Sequence, residues 1–579
     1  MAQTMGVERE SSLLQGRTIG RLWLDAVNAN RRSPAYLVQR DGAWEEVSWQ
    51  EAAQVVDELA HGLLAAGIGK GDAFAILAQT TLEWALFDFA LGLVGAIGVP
   101  IYANSSTKDA QFVAAHSEAV GVLCEDSEQL AKVEPLGLER TWSFADLDEL
   151  RARGRAHADE QPNAVLDAAA MVDEDDLFTY IYTSGTTGPP KACMIRHRNY
   201  YEMVAVVDQL ERLTMQDDLL LLYLPLAHNF GRLMHLAGPY VGFTVAFLPD
   251  PLRTADALLE VRPTVLPSVP RVYEKVHAGV LAKFDEETGL KKRIVDWALR
   301  VGYRVSSARQ RGTRVPAGLE LQRRLAHKLV YSKVQARLGG RLRIAISGGA
   351  PLARDIGEFF DALGITILEG YGLTECTSAA TVNRVEKYRP GTVGPALPGT
   401  ELRLGDDGEL FIRSPTVFAG YFKEDAATRE VLDDDGWLSS GDIAEIDSDG
   451  FVTITDRKKD ILVTAGGKNV APANIENDLK VHREISQALV IGDRRPFVAA
   501  LVTLDPNATA GLTDEEKQRR IQKIVDEVNR ERSRFEQIKR FVILPRDFSM
   551  EEDEVTPTLK LKRSVVLEHF APEIESIYS

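Results

Sequence analysis

Four short apolar runs recur along the chain, at 73–78, 120–124, 241–248 and 343–347, and helical spacing resumes after each. A continuous apolar run has no polar face, so as a strand it must be covered on both sides, as in a parallel sheet flanked by helices. The alternation predicts a doubly wound α/β architecture with ligands at the carboxyl ends of the strands. Ser48 and Glu51 form a capping box ahead of Val55, Val56, Leu59, Ala60, Leu63 and Leu64, and Gly67, Gly69 and Gly71 end that helix. The window 84–103 is about long enough to span a bilayer but holds Asp88 and Pro100. It reads as a buried helix passing through Gly95 and Gly98 into a short strand.

From about residue 388 the texture changes to short alternating strands with Gly, Asp and Pro turns, at 400–404, 408–413 and 451–455. Beyond Asp456 the chain turns polar, and Thr513 and Glu516 cap a charged helix with the apolar stripe Ile521, Ile524, Val525, Val528. The expected plan is a large N-terminal domain over 1–455, with a small β-barrel-like subdomain over about 388–455. A hinge at 456–460 and a small mobile α+β C-terminal domain over 461–579 follow.

With 579 residues the chain exceeds a single core. Its net charge of −18 argues against a nucleic-acid partner. Three scattered cysteines, Cys124, Cys193 and Cys376, fit a reducing cytoplasm and supply no disulfide or zinc framework. Met1 to Leu14 carries Glu8 and Glu10 and no apolar segment, so no signal peptide is expected. Residues 288–343 run against the overall charge, with fifteen Lys and Arg against Asp296 and Glu320. That net +13 reads either as a solvated pair of helices or as a surface facing phosphates or an anionic membrane.

The stretch Tyr182-Thr183-Ser184-Gly185-Thr186-Thr187-Gly188-Pro189-Pro190-Lys191 packs four hydroxyl side chains, two glycines and a lysine into ten residues after an apolar-aromatic run. Backbone amides, hydroxyls and a closing lysine make a polyphosphate cradle. The spacing is not that of a Walker loop, because two prolines separate Gly188 from Lys191.

That cradle, with Gly370-Tyr371-Gly372-Leu373-Thr374-Glu375, Ser440-Gly441-Asp442 and Asp456-Arg457-Lys458-Lys459-Asp460, resembles the ANL superfamily of adenylate-forming enzymes. Pro225-Leu226-Ala227-His228 with Arg232, the segment Pro267-Ser268-Val269-Pro270-Arg271-Val272-Tyr273-Glu274-Lys275, and Thr556-Pro557-Thr558-Leu559-Lys560-Leu561-Lys562-Arg563 look like bacterial long-chain fatty-acid–CoA ligases. The resemblance implies ATP-dependent activation of a long-chain fatty acid to acyl-adenylate, then transfer to coenzyme A, releasing AMP and pyrophosphate. It implies that Thr183, Ser184, Gly185, Thr186, Thr187, Gly188 and Lys191 hold the β and γ phosphates. Glu375, with Thr183 favoured over Thr186, positions Mg²⁺. Tyr371 lies against the adenine, opposite Gly348, Gly349 and Ala350, and Glu369, Gly370, Gly372 and Thr374 join the nucleotide set. Asp442 accepts the ribose hydroxyls and Arg457 supports the same sugar.

By the same resemblance Lys560, with Lys562 as rival, bridges the substrate carboxylate and α-phosphate, a task for a point charge on a long stem. Lys459 is the pivot. The Gly466-Gly467-Lys468 loop enters the site when the C-terminal domain rotates. His228 borders the acyl and thiol channels, although a histidine after an apolar strand is commonly a packed core residue. Phe230 and Trp437 read as packing residues. Ala192, Arg196 and Ser440 depart from the family's usual residues, and Ala192 requires a negative φ. Alternatives are a fatty-acyl-AMP ligase loading a carrier protein, a ligase for a medium-chain or aromatic acid, and a catalytically silent acyl-binding protein. A homodimer and a membrane-peripheral location are left open.

Overall fold

The computed structural model describes residues 14–29, 31–32, 34–183, 190–556 and 560–579. The expected doubly wound α/β layout is present as two large sheets. One has eight strands, in the order Thr381–Val382, Ile367–Tyr371, Ile344–Ser347, Val265–Ser268, Leu219–Leu222, Thr244–Phe247, Tyr36–Arg40, Ala43–Val47, parallel except at its two ends. The other has six, in the order Arg140–Ser143, Gly121–Cys124, Ala73–Ala78, Ile97–Tyr102, Leu177–Thr183, Lys191–Arg196, with only the last pair antiparallel. Ala73–Ala78 and Gly121–Cys124 are buried at every position, as their unbroken apolar runs require.

The 84–103 window divides into a helix, Leu82–Val94, and a strand, Ile97–Tyr102. Gly95 makes the break at φ +74°, where a Cβ would also meet Val172 at 2.9 Å. Among the described residues no helix is long and apolar enough to cross a membrane. The run at 241–248 is shorter as a strand than expected. Gly238–Gly242 is a wide helical turn, and the strand begins at Thr244. An apolar run alone does not separate a helix end from a strand start.

A buried ion pair ties the two large sheets together. Arg232, on helix Asn229–Ala237, grips both oxygens of Asp88, with Nε at 3.0 Å from Oδ2, and donates to Thr179 Oγ1 at 2.6 Å. Thr179 passes its own hydroxyl hydrogen to the Gly98 carbonyl at 2.6 Å. The guanidinium lies between the rings of Phe178, Tyr200 and Trp84, at 4.5, 5.8 and 5.3 Å. Burial raises the Asp88 pKa and Arg232 opposes it. Losing one partner of such a pair typically costs about 3–5 kcal/mol, so the network holds the 182–191 strand ends and the His228 segment in fixed relation.

The β-rich part is a four-stranded antiparallel sheet, Glu401–Leu404, Glu409–Arg413, Leu438–Ile446 and Val452–Arg457. Beyond it lies a three-stranded sheet, Ile485–Ile491, Val498–Leu504 and Ile538–Ile543, packed on helices Pro472–Lys480 and Asp514–Arg530. The capping box at Thr513 and Glu516 forms, and Ile521, Ile524, Val525 and Val528 are its buried stripe. The apolar cores divide accordingly. One large cluster gathers residues from Leu14 to Val452, and two others draw only on residues from Leu462 onward.

Candidate active site

The cradle stretch is flanked by two paired antiparallel strands, Leu177–Thr183 and Lys191–Arg196. Thr183 pairs with Lys191 across the antiparallel strands, and Thr183 Oγ1 lies 3.5 Å from the Lys191 carbonyl. Ser184, Gly185, Thr186, Thr187 and Gly188 lie outside the described residues. Ala192 is buried within the hairpin strand, with its methyl in the core of the six-stranded sheet and its φ outside the left-handed region. The departure at this position is therefore accommodated.

Strand Ile367–Tyr371 leads from the eight-stranded sheet into a tight turn, Thr374–Cys376, that carries Glu375. Gly372 is obligatory there, since a Cβ would sit 2.0 Å from the Ser378 carbonyl. Tyr371 donates its hydroxyl to Asp442 Oδ2 at 2.6 Å, and Arg457 Nε donates to Asp442 Oδ1 at 3.0 Å. Asp442 and Arg457 are direct partners across the strands Leu438–Ile446 and Val452–Arg457. Ser440 keeps the role of a hydroxyl at its position, accepting the Asp442 amide at 3.1 Å. At the carboxyl end of strand Ile344–Ser347, Gly348 faces the Phe230 ring, 3.4 Å from where a Cβ would stand. Gly349, at φ +83°, and Ala350 are exposed.

Tyr421 was not anticipated. Segment 419–422 pairs with the hairpin strand: Met194 donates to the Gly420 carbonyl and Phe422 to that of Ala192, both at 2.9 Å. This sets the Tyr421 hydroxyl 2.6 Å from Glu375 Oε1 and its ring 5.3 Å from Lys191 Nζ. Burial, then the facing carboxylate, raises the pKa of Tyr371 and of Tyr421, so both phenols remain donors. The available signal was a Gly-aromatic step, Gly420-Tyr421-Phe422, in a segment that otherwise reads as turn.

His228 caps helix Asn229–Ala237, accepting the Phe230 amide at Nδ1 at 3.2 Å, which leaves the hydrogen on Nε2. The enclosing protein first, and then the charge of Lys560, push its pKa down to about 3, so the ring is neutral. Lys560 is solvent-accessible yet stands deep enough in the cleft that its ammonium pKa is lowered. Desolvation is the larger cause and Arg457 the second, with Asp442 and Glu375 opposing. Lys562 instead pairs with Asp553.

Several of the expected positions stand apart from the cluster around Asp442. Glu369 is a packed acid that accepts the Gly391 amide at 3.0 Å, and burial raises its pKa to about 8. It shares a strand with Tyr371 but points into the fold. Gly466, Gly467 and Lys468 form an exposed turn beside their own domain, where Ala465 donates to the Arg495 carbonyl at 2.9 Å and Lys468 Nζ lies 6.0 Å from the Phe535 ring. Gly370 packs against Thr381, and Thr374 offers its carbonyl to Asn229 Nδ2 at 3.2 Å. Lys459 is exposed between Lys458, bonded to Glu409 and Asp407 at 2.7 Å, and Asp460.

Among the described residues no cluster of three or more His, Cys, Asp or Glu could hold a metal by itself. A single carboxylate such as Glu375, whose Oε1 already accepts the Tyr421 hydroxyl, would suit a Mg²⁺ only if substrate oxygens and water completed its shell.

Two large mixed sheets followed by a four-stranded antiparallel sheet and a separate small C-terminal core are the layout of the adenylate-forming class of enzymes. The chain belongs to the AMP-binding enzyme family: the family model matches residues 25–422, and the AMP-binding enzyme C-terminal domain matches 459–579. It is 40% identical to the long-chain-fatty-acid–CoA ligase FadD15 of Mycobacterium bovis, over 95% of both chains. It is 30% identical to the long-chain-fatty-acid–CoA ligase ACSBG2 of Homo sapiens, over 97% of this chain and 92% of the relative. Among solved structures, the adenylation domain of a carboxylate reductase from Mycobacterium chelonae superposes with TM-score 0.77 at 22% identity, covering 100% of this chain and 94% of that one. An anthranilate CoA ligase bound to anthranoyl-AMP gives 0.74 at 19% identity, over 96% and 98%. These two show the shared fold.

Proposed function

We propose that the protein is a long-chain fatty-acid–CoA ligase: it joins a fatty acid to ATP as acyl-adenylate with loss of pyrophosphate, then passes the acyl group to the thiol of coenzyme A with loss of AMP. The observation that carries this reading is the pair of carboxylates held in place, Asp442 by Tyr371 and Arg457 at 2.6 and 3.0 Å and Glu375 by Tyr421 at 2.6 Å, whose charges act on Lys560. The full-length relatives named as long-chain-fatty-acid–CoA ligases support the substrate class.

In this reading Asp442, already oriented by Tyr371 and Arg457, accepts the ribose hydroxyls, and Tyr371 lies against the base opposite Gly348, Gly349 and Ala350. Lys191 and the hairpin amides face the β and γ phosphates. Mg²⁺, held by Glu375 and Thr183, supplies neutralisation of phosphate charge. Lys560 steadies the charge that grows as a carboxylate oxygen attacks the α-phosphorus and the bond to the β-phosphate breaks. His228, neutral with its hydrogen on Nε2, lines the entry of the acyl carboxylate without adding a second cation beside Lys560. The chain divides at 456–460 with Lys459 as pivot, and rotation there replaces Lys560 by the 465–469 loop for the thioester step.

ATP–pyrophosphate exchange across a panel of carboxylic acids tests the reading, with acyl-CoA formation measured beside it. Exchange with palmitate or oleate and CoA-dependent product are expected. Exchange confined to acids of about eight carbons or fewer, or an acyl-adenylate that CoA does not consume, refutes it.

The protein also docks on anionic membrane through 288–343. Leu321, Leu325 and Leu329, four residues apart on the helical stretch that begins at Ala317, are 69, 50 and 38% exposed, beside Arg324 and Lys328. Apolar side chains rimmed by cations suit an interface of lipid headgroups. Co-sedimentation with phosphatidylserine vesicles should weaken when the three leucines become Ser. Unchanged binding argues for a solvated surface.

A further inference from the structure

The C-terminal body is held at a second place, outside the nucleotide cluster. Arg271, in the first turn of helix Pro270–Glu286, reaches across to strand Ile485–Ile491. Its Nη1 donates to the Ser486 carbonyl at 2.6 Å and its Nη2 to Ser486 Oγ at 2.9 Å. Ser486 is 4% exposed, and its hydroxyl donates onward to Asp547 Oδ2 at 2.7 Å. Two further pairs lie along the same helix, Glu274 with Lys480 at 4.0 Å and Asp285 with Arg483 at 3.7 Å.

A planar guanidinium that grips a carbonyl and a hydroxyl of one residue is satisfied at one orientation only. The chain connection at 456–460 is one tether and leaves rotation free. A second contact sets the angle, and at this angle Lys560 feels the charges of Arg457, Asp442 and Glu375. Any rotation that takes Lys560 out of the cleft carries Ser486, Lys480 and Arg483 away from the helix.

We propose that Arg271 is a positioning residue for adenylation: through Ser486 it latches the C-terminal body with Lys560 in the cleft, and the latch opens before acyl transfer to the thiol. The proposal rests on the two-step reading above. Ser486 contributes a backbone carbonyl and a small hydroxyl, so the grip is short-range and can be undone without unfolding either body.

The test separates the half-reactions. Arg271→Ala should lower fatty-acid-dependent ATP–pyrophosphate exchange about tenfold, the loss typical of a charge-assisted hydrogen-bonded contact. Acyl-CoA formation from preformed acyl-adenylate should not fall. Arg271→Lys, which keeps the charge but not the fork, should lie between. Asp285→Arg and Arg483→Asp should each shift the ratio of the two rates in the same direction, and the double exchange should restore it, a rescue that a merely structural role does not produce. A parallel fall in both half-reactions, or wild-type exchange in Arg271→Ala, overturns the latch. Tryptic cleavage after Arg457, Lys458 or Lys459, followed by mass spectrometry on the whole enzyme without substrates, gives a readout independent of the reaction. It should quicken several-fold in Arg271→Ala. Unchanged cleavage overturns the latch even where exchange is seen, whereas absence of exchange in the wild type with a quickened hinge would fault only the functional reading.

Discussion

Asp442 and Glu375 each receive a phenol hydroxyl at 2.6 Å from a residue on a neighbouring segment, and Arg457 closes on Asp442 from the adjacent strand. Lys560 is held differently. Its amide donates to Thr556 Oγ1 at 3.0 Å and its carbonyl accepts the Thr556 amide at 2.8 Å, and the residue is exposed. The carboxylates are thus pre-oriented by side chains that hold one another; in the proposed reading they face the nucleotide and the lysine is delivered by the placement of an entire body. A fixed acceptor set with a delivered cation allows one cleft to serve two successive reactions, because only the delivered part has to leave.

The largest expected effect comes from removing the delivered part. Lys560→Ala should lower adenylation by about 10²–10³-fold, the range for losing one oriented charge-stabilising group, and leave thioester formation from preformed acyl-adenylate intact. Equal losses in both steps, measured by exchange and by acyl-CoA release, would remove the distinction between the two halves. A smaller effect is expected in the fixed half. Tyr421→Phe frees Glu375 Oε1 and should weaken Mg²⁺-dependent ATP binding about tenfold, read by calorimetry without fatty acid, with little change in binding of AMP. If AMP binding falls equally, Tyr421 supports the whole cleft rather than the metal carboxylate.

The smallest effect concerns pH. Glu369 carries a pKa raised to about 8 by burial. The folded chain holds a proton that the unfolded chain releases, so stability present at low pH is lost as pH rises from the ordinary carboxylate range toward 8, by at most about 1.4 kcal/mol per unit. Glu369→Gln should flatten that decline in thermal midpoint between pH 6 and 8. An identical decline in the variant would place the titration elsewhere.

Much of this was legible in order along the chain. The strand at Ala73–Ala78, the box at Ser48 and Glu51 and the stripe on Asp514–Arg530 are local patterns, set by burial period and by caps that reach three residues. The site motifs were legible because resemblance carried them. Glu369 adjoins the Gly370–Glu375 motif, and strand packing turns its carboxyl toward Gly391. The contacts that organise the site were not legible. Tyr421 meets Glu375 across 46 residues, Asp88 meets Arg232 across 144, and Arg271 meets Ser486 across 215. Nothing in the spacing of either partner announces such a pair, since each side chain alone reads as a turn aromatic, a helix acid or a surface arginine.

By itself the sequence determined the class of sheet and the helix caps and stripes, because apolar periodicity and residue chemistry act locally. Only the tertiary structure decided how the C-terminal body is set against the helix that carries Arg271, because an orientation between two bodies is fixed by contacts between residues far apart in the chain.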